Sequence, residues 1–436
     1  MRRVLRRLVL LLGAAAAWPA CATTLVIATV DNAHMLQLQS LAAEFTRVRP
    51  DLRLRWITLP EGQLRKSVST DIMTRSRQYD VVTVGMYEVP IWARQGWLTP
   101  IRTPPGYRPE DLMRHVRAGL SYQGQLYGAP LYGESSMLYY RKDLLAKAGM
   151  TMPDQPTWAE IARYAAAMND PKNQVHGICL RAKPGWGENV TLVTTIANAH
   201  GGQWFDMQWQ PQLQSEAWQR AVGLYVDLLR RYGPPDAVDR GYNENLSLFL
   251  TGRCAMWVDA TVAAGFLADP AQNPLAHTVG FAQAPVAVTS KGARWLWAWA
   301  LAIPADIQPA QMEAAQAFVT WATSRDYIQL VAERRGWGLA PPGTRYSTYA
   351  DPRFQRAAPW ARHELEAIRN ANPRDATLRP SPYLGVQFAT IPEFAEIGDA
   401  LGLHIADALA GRLSVKEALA RGQEVARRRM LTATPP

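Results

Sequence analysis

The residues in this sequence best suited to chemistry are carboxylates, amides and indoles that fall where apolar, strand-like runs end. Asp31-Asn32 follows Leu25 to Val30, and Tyr87-Glu88 follows Val81 to Val84. Glu134 lies within Leu131-Tyr132-Gly133-Glu134-Ser135-Ser136. Trp186-Gly187-Glu188-Asn189 and Trp257-Val258-Asp259-Ala260-Thr261 come next, then Trp295-Leu296-Trp297-Ala298-Trp299 and Tyr383-Leu384-Gly385-Val386-Gln387. In open α/β sheets ligands bind at the carboxyl ends of strands, because the strands stop there and the loops diverge.

These residue types suit an uncharged, hydroxyl-rich molecule. An ionised Asp or Glu only accepts hydrogen bonds, and one carboxylate can take two neighbouring hydroxyls. Asn and Gln both donate and accept. Trp and Tyr cover the C–H face of such a ligand and exclude water, which strengthens the polar bonds around it. No cluster of Arg accompanies the set, which argues against a phosphate or carboxylate ligand. Each residue also has a plainer reading: Glu134 as the partner of an Arg, Asp259 as a helix cap. Alternation along Trp295, Trp297 and Trp299 sends one face of the strand into the core, and either Trp297 or its neighbours face the ligand.

The usual motifs of catalysis are missing. The chain has no G-x-S-x-G, no P-loop, no G-x-G-x-x-G and no H-E-x-x-H. Gly185-Trp186-Gly187 and Gly336-Trp337-Gly338 lack the third glycine of a dinucleotide loop. The 7 histidines are scattered singly, without metal-ligand spacing. No catalytic residue, metal or cofactor is therefore expected.

The elements that must position this set read as α/β. Leu25 to Val30 is a strand, and Met35, Leu38, Leu41, Phe45 and Val48 recur at helical spacing until Pro50. Leu52, Leu54 and Trp56 alternate with arginines as a strand, Leu64 to Met73 is helical, and Asp80 to Val84 is a buried strand. That order implies parallel strands joined by helices. Thr157-Trp158-Ala159-Glu160 and Ser414-Val415-Lys416-Glu417 open helices as capping boxes. Val175 to Leu180, Ala255 to Val258 and Trp295 to Ile303 read as further strands. With 436 residues, 48% apolar and 19% charged, the chain exceeds what one core usually supports, so two lobes are expected. There is no flexible tether, so the chain should cross between lobes several times through short hinge strands.

Residues 1–22 read as an export signal. A basic stretch to Arg7 precedes an apolar run, Leu8 to Ala17, too short to span a bilayer, and Ala20-Cys21-Ala22 fits the cleavage rule. Lipidation at Cys21 is the less favoured alternative. Cleavage leaves Cys179 and Cys254, either one disulfide in an oxidising compartment or two buried thiols. The formal charge of +10 falls once the leader's arginines leave, and no basic block is long enough for a nucleic-acid groove.

The sequence resembles, nearly end to end, the extracellular solute-binding proteins that serve ABC importers, most closely the branch that binds mannitol and sorbitol. The resembling stretches are Tyr79 to Gly85 with Tyr87 to Trp92, Tyr132 to Met137, Gly177 to Arg181, Gly185 to Asn189, Met256 to Ala264, Trp295 to Trp299 and Pro341 to Arg345. The resemblance implies a periplasmic two-lobe fold, each lobe a mostly parallel sheet flanked by helices, with the ligand cleft at the hinge. It implies an N-terminal lobe of residues 23–133 and 295–345, and a C-terminal lobe of 134–294 and 346–436. It places Glu134, Trp186, Glu188, Asn189, Tyr87 and Glu88 against the ligand, and with them Asn32, Asp259, Trp297, Trp299, Tyr383 and Gln387. Leu59-Pro60-Glu61-Gly62 departs from the polyol branch, so no role is assigned to Glu61.

The expected protein is a monomer that captures a sugar alcohol by hinge closure and delivers it to the permease and ATPase subunits of an importer. A cyclic monosaccharide or a disaccharide fits the same donors and acceptors. Two rivals are an exported glycoside hydrolase using Glu134 and Glu188, and a carrier that feeds a chemoreceptor.

Overall fold

A computed structural model describes residues 22–433. The segment holding the export signal and Cys21 lies outside the described residues. Strands β1 (Thr23–Val30), β2 (Leu52–Leu59), β3 (Val81–Val84), β4 (Gly128–Glu134), β5 (Ser136–Arg141), β6 (Met256–Ala260), β7 (Val279–Gln283) and β8 (Trp297–Pro304) form two sheets. Helices that frame the site are α1 (Ala33–Val48), α2 (Glu61–Thr74), α3 (Glu88–Arg94), α4 (Trp158–Met168), α5 (Asn189–Ala199), α6 (Glu216–Tyr232), α7 (Tyr242–Leu250), α8 (Pro309–Ala322), α9 (Phe394–Leu409) and α10 (Val415–Met430).

In the first sheet β1 pairs in parallel with β2 and with β3, because α1 and α2 carry the chain back each time. β8 then inserts antiparallel between β3 and β4. The second sheet, in the order β7-β5-β6, is antiparallel throughout its named strands. The expectation of two mostly parallel sheets therefore fails for the second and holds only in part for the first. The reason is connectivity. A single residue, Ser135, separates β4 from β5, so the chain runs straight from one sheet into the other and no helical crossover sets the direction. The segment read as a strand at 175–180 appears as isolated bridges, Val175 antiparallel to Asp170, and His176 to Cys254 and Cys179 to Trp257 in parallel at the edge of β6.

The local signals explain the helices. The Asn32 side chain caps α1 by accepting from the Met35 amide at 3.1 Å. Thr157 and Ser414 form the two expected capping boxes at the starts of α4 and α10. Fully buried Trp257, Tyr139, Trp218 and Phe249 lie in the core beneath the second sheet. Each large apolar side chain removed from water contributes roughly 1.5–3 kcal/mol. Cys179 and Cys254 are joined as a disulfide, with Cα atoms 6.0 Å apart, which ties the 176–180 segment to the start of β6.

The strands meet in a knot of hydrogen bonds. The Ser135 amide donates to Thr261 Oγ1 at 3.2 Å, and the Thr261 amide donates to the Ser135 carbonyl at 2.8 Å. Ser135 Oγ donates to the Trp295 carbonyl at 2.7 Å. Gln387 grips the next residue, its Nε2 donating to the Leu296 carbonyl at 2.9 Å and its Oε1 accepting from the Leu296 amide at 3.2 Å. The segments that pass between the sheets are thus pinned side by side, beneath the residues singled out above.

Candidate functional site

A cavity of about 180 Å³ opens at this junction. One wall comes from the ends of β1 and β4 and from α2, and the other from the 181–191 segment and the start of α7. Its lining includes Asn32, Glu134, Trp186, Glu188, Trp297, Trp299 and Gln387 from the sequence-based set. Glu134 faces Trp297 across the β4–β8 pair, so both side chains leave the sheet on the same side. Trp297 and Trp299, two apart, share that face, and a break in register after Trp299 marks the end of the cavity floor. Trp295 lines the cavity as well, so neither expected alternative holds: residues two apart share a face, and all three indoles reach the cavity together. Close approach explains Gly85, where an added Cβ would sit 1.8 Å from Cζ2 of Trp297.

The structure does not bring Tyr87, Glu88, Asn189, Asp259 or Tyr383 to the wall, and each has another partner. Tyr87 Oη donates to the Ile391 carbonyl at 3.0 Å, and its ring packs 5.0 Å from that of Trp186. Glu88 accepts from the Gly85 amide and pairs with Arg65. Asn189 Nδ2 donates to the Gly402 carbonyl at 2.9 Å. Tyr383 Oη accepts from the Trp204 amide at 2.9 Å. Asp259 is saturated by Arg181, at 2.7 Å from Nη2, by the Trp257 indole N–H at 3.0 Å and by the Ala260 amide. A side chain with its bonding capacity filled by protein has little left for a ligand.

Residues that local sequence signals missed complete the wall. Arg65, Glu61, Arg181, Lys183, His34, Tyr132, Tyr242 and Asn243 all line it. Glu61 enters despite the unusual sequence around it. The arginines enter too, yet neither offers free charge: Arg65 is held by Glu61 and Glu88, and Arg181 by Asp259. The expected absence of arginine at the site is therefore corrected: two ion-paired arginines and Lys183 stand on the wall. Glu61 and Arg65 sit four residues apart on α2, a spacing that signals a pair but not where it points.

The carboxyls with bonding capacity left are the informative groups. Glu134 is buried, with the Trp295 indole N–H directed at its carboxyl. Burial pushes its pKa up to about 8; Arg181 pulls the other way, while Asp259 and Glu61 add to the rise. Glu188, 3.8 Å from Arg181, is pushed up to about 8 chiefly by burial. Buried donors stand beside them: the Trp295 indole N–H is directed at Glu134, and the ring of His34 lines the same cavity. Burial holds His34 down at about 4, so it stays neutral at physiological pH. The cavity thus offers acceptors, neutral donors and flat apolar faces, without free positive charge at its arginines.

Contacts cross the cavity between its walls. Asn243 Nδ2 donates to the Asp31 carbonyl at 3.0 Å. Arg65 from α2 lies over Trp186 of the facing wall, 4.1 Å from the ring centre. Glu61 presses against Gly187 so closely that an added Cβ there would lie 2.0 Å from its Oε1.

Comparison with known proteins agrees with this geometry. Residues 32–329 match the model of the bacterial extracellular solute-binding protein family. A mannitol-binding protein of Pseudomonas aeruginosa is 48% identical over 95% of each chain. An ABC transporter solute-binding protein of Agrobacterium vitis, solved with D-mannitol bound, is 48% identical with a TM-score of 0.93, covering 95% of this chain and 100% of that one. A second, from Agrobacterium radiobacter in complex with ribitol, is 25% identical with a TM-score of 0.83, covering 94% of this chain and 100% of that one.

Proposed function

Because this chain belongs to the bacterial extracellular solute-binding proteins, we propose that its cavity encloses one acyclic sugar alcohol of the mannitol or sorbitol type and hands it, unaltered, to an ABC importer. The observation that carries this reading is the cavity itself: the buried carboxyls of Glu134 and Glu188, not saturated by protein donors, lie beside the indoles of Trp186, Trp295, Trp297 and Trp299. Glu134 accepts from neighbouring hydroxyls, Asn32 and Gln387 border it, and the indole cluster with Arg65 seated on it closes off the carbon chain from water. Tyr87, Glu88, Asn189 and Asp259 act behind the wall, holding Trp186, Arg65 and Arg181 in place.

The lobes of this reading are residues 23–133 with 295–345 and residues 134–294 with 346–436. They hinge at Ser135, Thr261 and Leu296. Ligand favours closure only by the contacts it makes with both lobes, and hinged closure of two lobes around a ligand is the general motion of periplasmic binding proteins. The bonds from Asn243 to Asp31 and from Arg65 over Trp186 are those that closure makes. The chain works in the periplasm after export, and the closed surface is what the permease recognises. Release demands moderate affinity, on the order of micromolar or about 8 kcal/mol. Three or four charge-assisted bonds at ~1.5–3 kcal/mol each supply that range once the cost of ordering is subtracted.

A hydrolytic use of Glu134 and Glu188 is disfavoured by their environments. Glycoside hydrolysis needs one carboxyl held protonated and another held ionised. Here burial pushes both in the same direction. A thermal-shift screen of the mature protein against hexitols, pentitols, aldoses and sugar acids tests the proposal. Hexitols should raise the melting temperature most and sugar acids least. A larger shift with an aldonate or a sugar phosphate would overturn it.

A further inference from the structure

Arg65 occupies the indole faces that a larger ligand would need. Its guanidinium carbon lies 4.1 Å from the ring centre of Trp186, 4.9 Å from that of Trp297 and 4.8 Å from that of Trp299. It does not sample other positions freely. Glu61, four residues earlier on the same helix, accepts from Nε at 3.1 Å and from Nη2 at 3.0 Å, and Glu88 holds Nη1. Glu88 is fixed in turn by the Gly85 amide at 3.0 Å and is buried. A planar, weakly hydrated cation stacks on indole faces as a sugar ring does, and once seated there it excludes one.

We infer that Arg65 sets the upper size limit of the ligand: clamped by Glu61 and Glu88, it fills the stacking surface of Trp186, Trp297 and Trp299, so the cavity takes one hexitol-sized molecule and refuses a glycosylated one. This rests on the polyol reading of the same cavity. The lining that Arg65 leaves uncovered includes Glu134, Tyr242 and Asn32, within a cavity of about 180 Å³. The clamp also accounts for Glu61, whose sequence context departs from the polyol branch: its task is to hold an arginine, not a hydroxyl. The geometry makes Arg65 a specificity residue that acts by exclusion rather than by a bond to the ligand.

Calorimetric titration with D-mannitol and with maltitol, a hexitol carrying one glucosyl ring, tests the limit on the full mature protein. The wild type should bind maltitol at least a hundredfold more weakly than mannitol. Arg65→Ala should narrow that ratio at least tenfold. Should that variant show no cooperative melt, Glu61→Gln/Arg65→Ala/Glu88→Gln removes the stranded carboxylates with the arginine, and the same ratio is read from it. A folded variant of either kind that keeps the wild-type ratio overturns the inference. So does a wild type that binds maltitol within tenfold of mannitol. A wild type that binds neither contradicts the polyol reading itself, and the size limit falls with it.

Discussion

Replacing Glu134 by Gln removes a charge while keeping the shape of the cavity wall. In the free protein burial raises this carboxyl to about 8, so at neutral pH much of it is protonated. The groups that face it are Arg181, which favours ionisation, Asp259 and Glu61, which oppose it, and the Trp295 indole N–H. Ligand hydroxyls donate to the ionised form and stabilise it, so binding pulls the pKa down and releases a proton. Affinity should therefore climb as pH rises from 6 towards 8, by up to tenfold per unit, which corresponds to about 1.4 kcal/mol. It should level off above about 8. At the plateau Glu134→Gln exchanges charge-assisted bonds for neutral ones, a loss of about 1–2 kcal/mol per hydroxyl, or roughly 5- to 30-fold. Calorimetry at several pH values, in buffers of different ionisation enthalpy, counts the protons released. Glu188→Gln controls for the second raised carboxyl on the wall and should leave part of the slope in place. Unchanged affinity at pH 8 together with a wild-type slope in Glu134→Gln would refute the reasoning.

Trp186→Ala removes an indole packed between Arg65, Trp297 and Tyr87. It should weaken mannitol binding at least tenfold, about 1.4 kcal/mol, while far-ultraviolet circular dichroism stays native. Gly187→Ala puts a methyl group where Glu61 Oε1 sits. Affinity should drop without loss of melting temperature in the unliganded protein; a drop in both would place the clash within one lobe. Glu364, fully buried and accepting from Tyr349 Oη at 2.7 Å, is pushed up to about 8 by burial. Because its folded pKa is raised, its contribution to stability is complete at acid pH and fades as pH rises through about 8. Glu364→Gln should therefore lose less melting temperature than the wild type between pH 5 and pH 9, and equal losses would contradict that assignment.

What could be read from the sequence depended on the range of the signal. The caps at Thr157 and Ser414 act within one helical turn, and the helices begin where they predict, whereas the cap at Asn32, read as a ligand residue, was not foreseen. The cavity indoles were legible in type, but the expected split between Trp297 and its neighbours was not borne out, because positions two apart on a strand share one face and all three line the cavity. The direction of the second sheet was not legible, because it follows from Ser135 alone bridging β4 and β5 and not from any periodicity. Asp259 and Arg181 are 78 residues apart, and no local pattern tells that one neutralises the other. The same holds for Arg65 and Glu88: the aromatic wall was visible, but the cation seated on it was not. Residues chosen because they follow strands divided accordingly, with Glu134 and Glu188 reaching the cavity and Glu88 and Asp259 turning to guanidinium partners behind it.

The central claim, that the cleft holds an acyclic polyol and returns it intact, is tested most directly by titrating the purified mature protein with D-mannitol in a calorimeter and recovering the ligand for NMR. The account predicts saturable binding near one equivalent, with an affinity on the order of micromolar and an unchanged spectrum of the released molecule. An absence of heat at millimolar mannitol, or a recovered ligand that has been chemically altered, would contradict it.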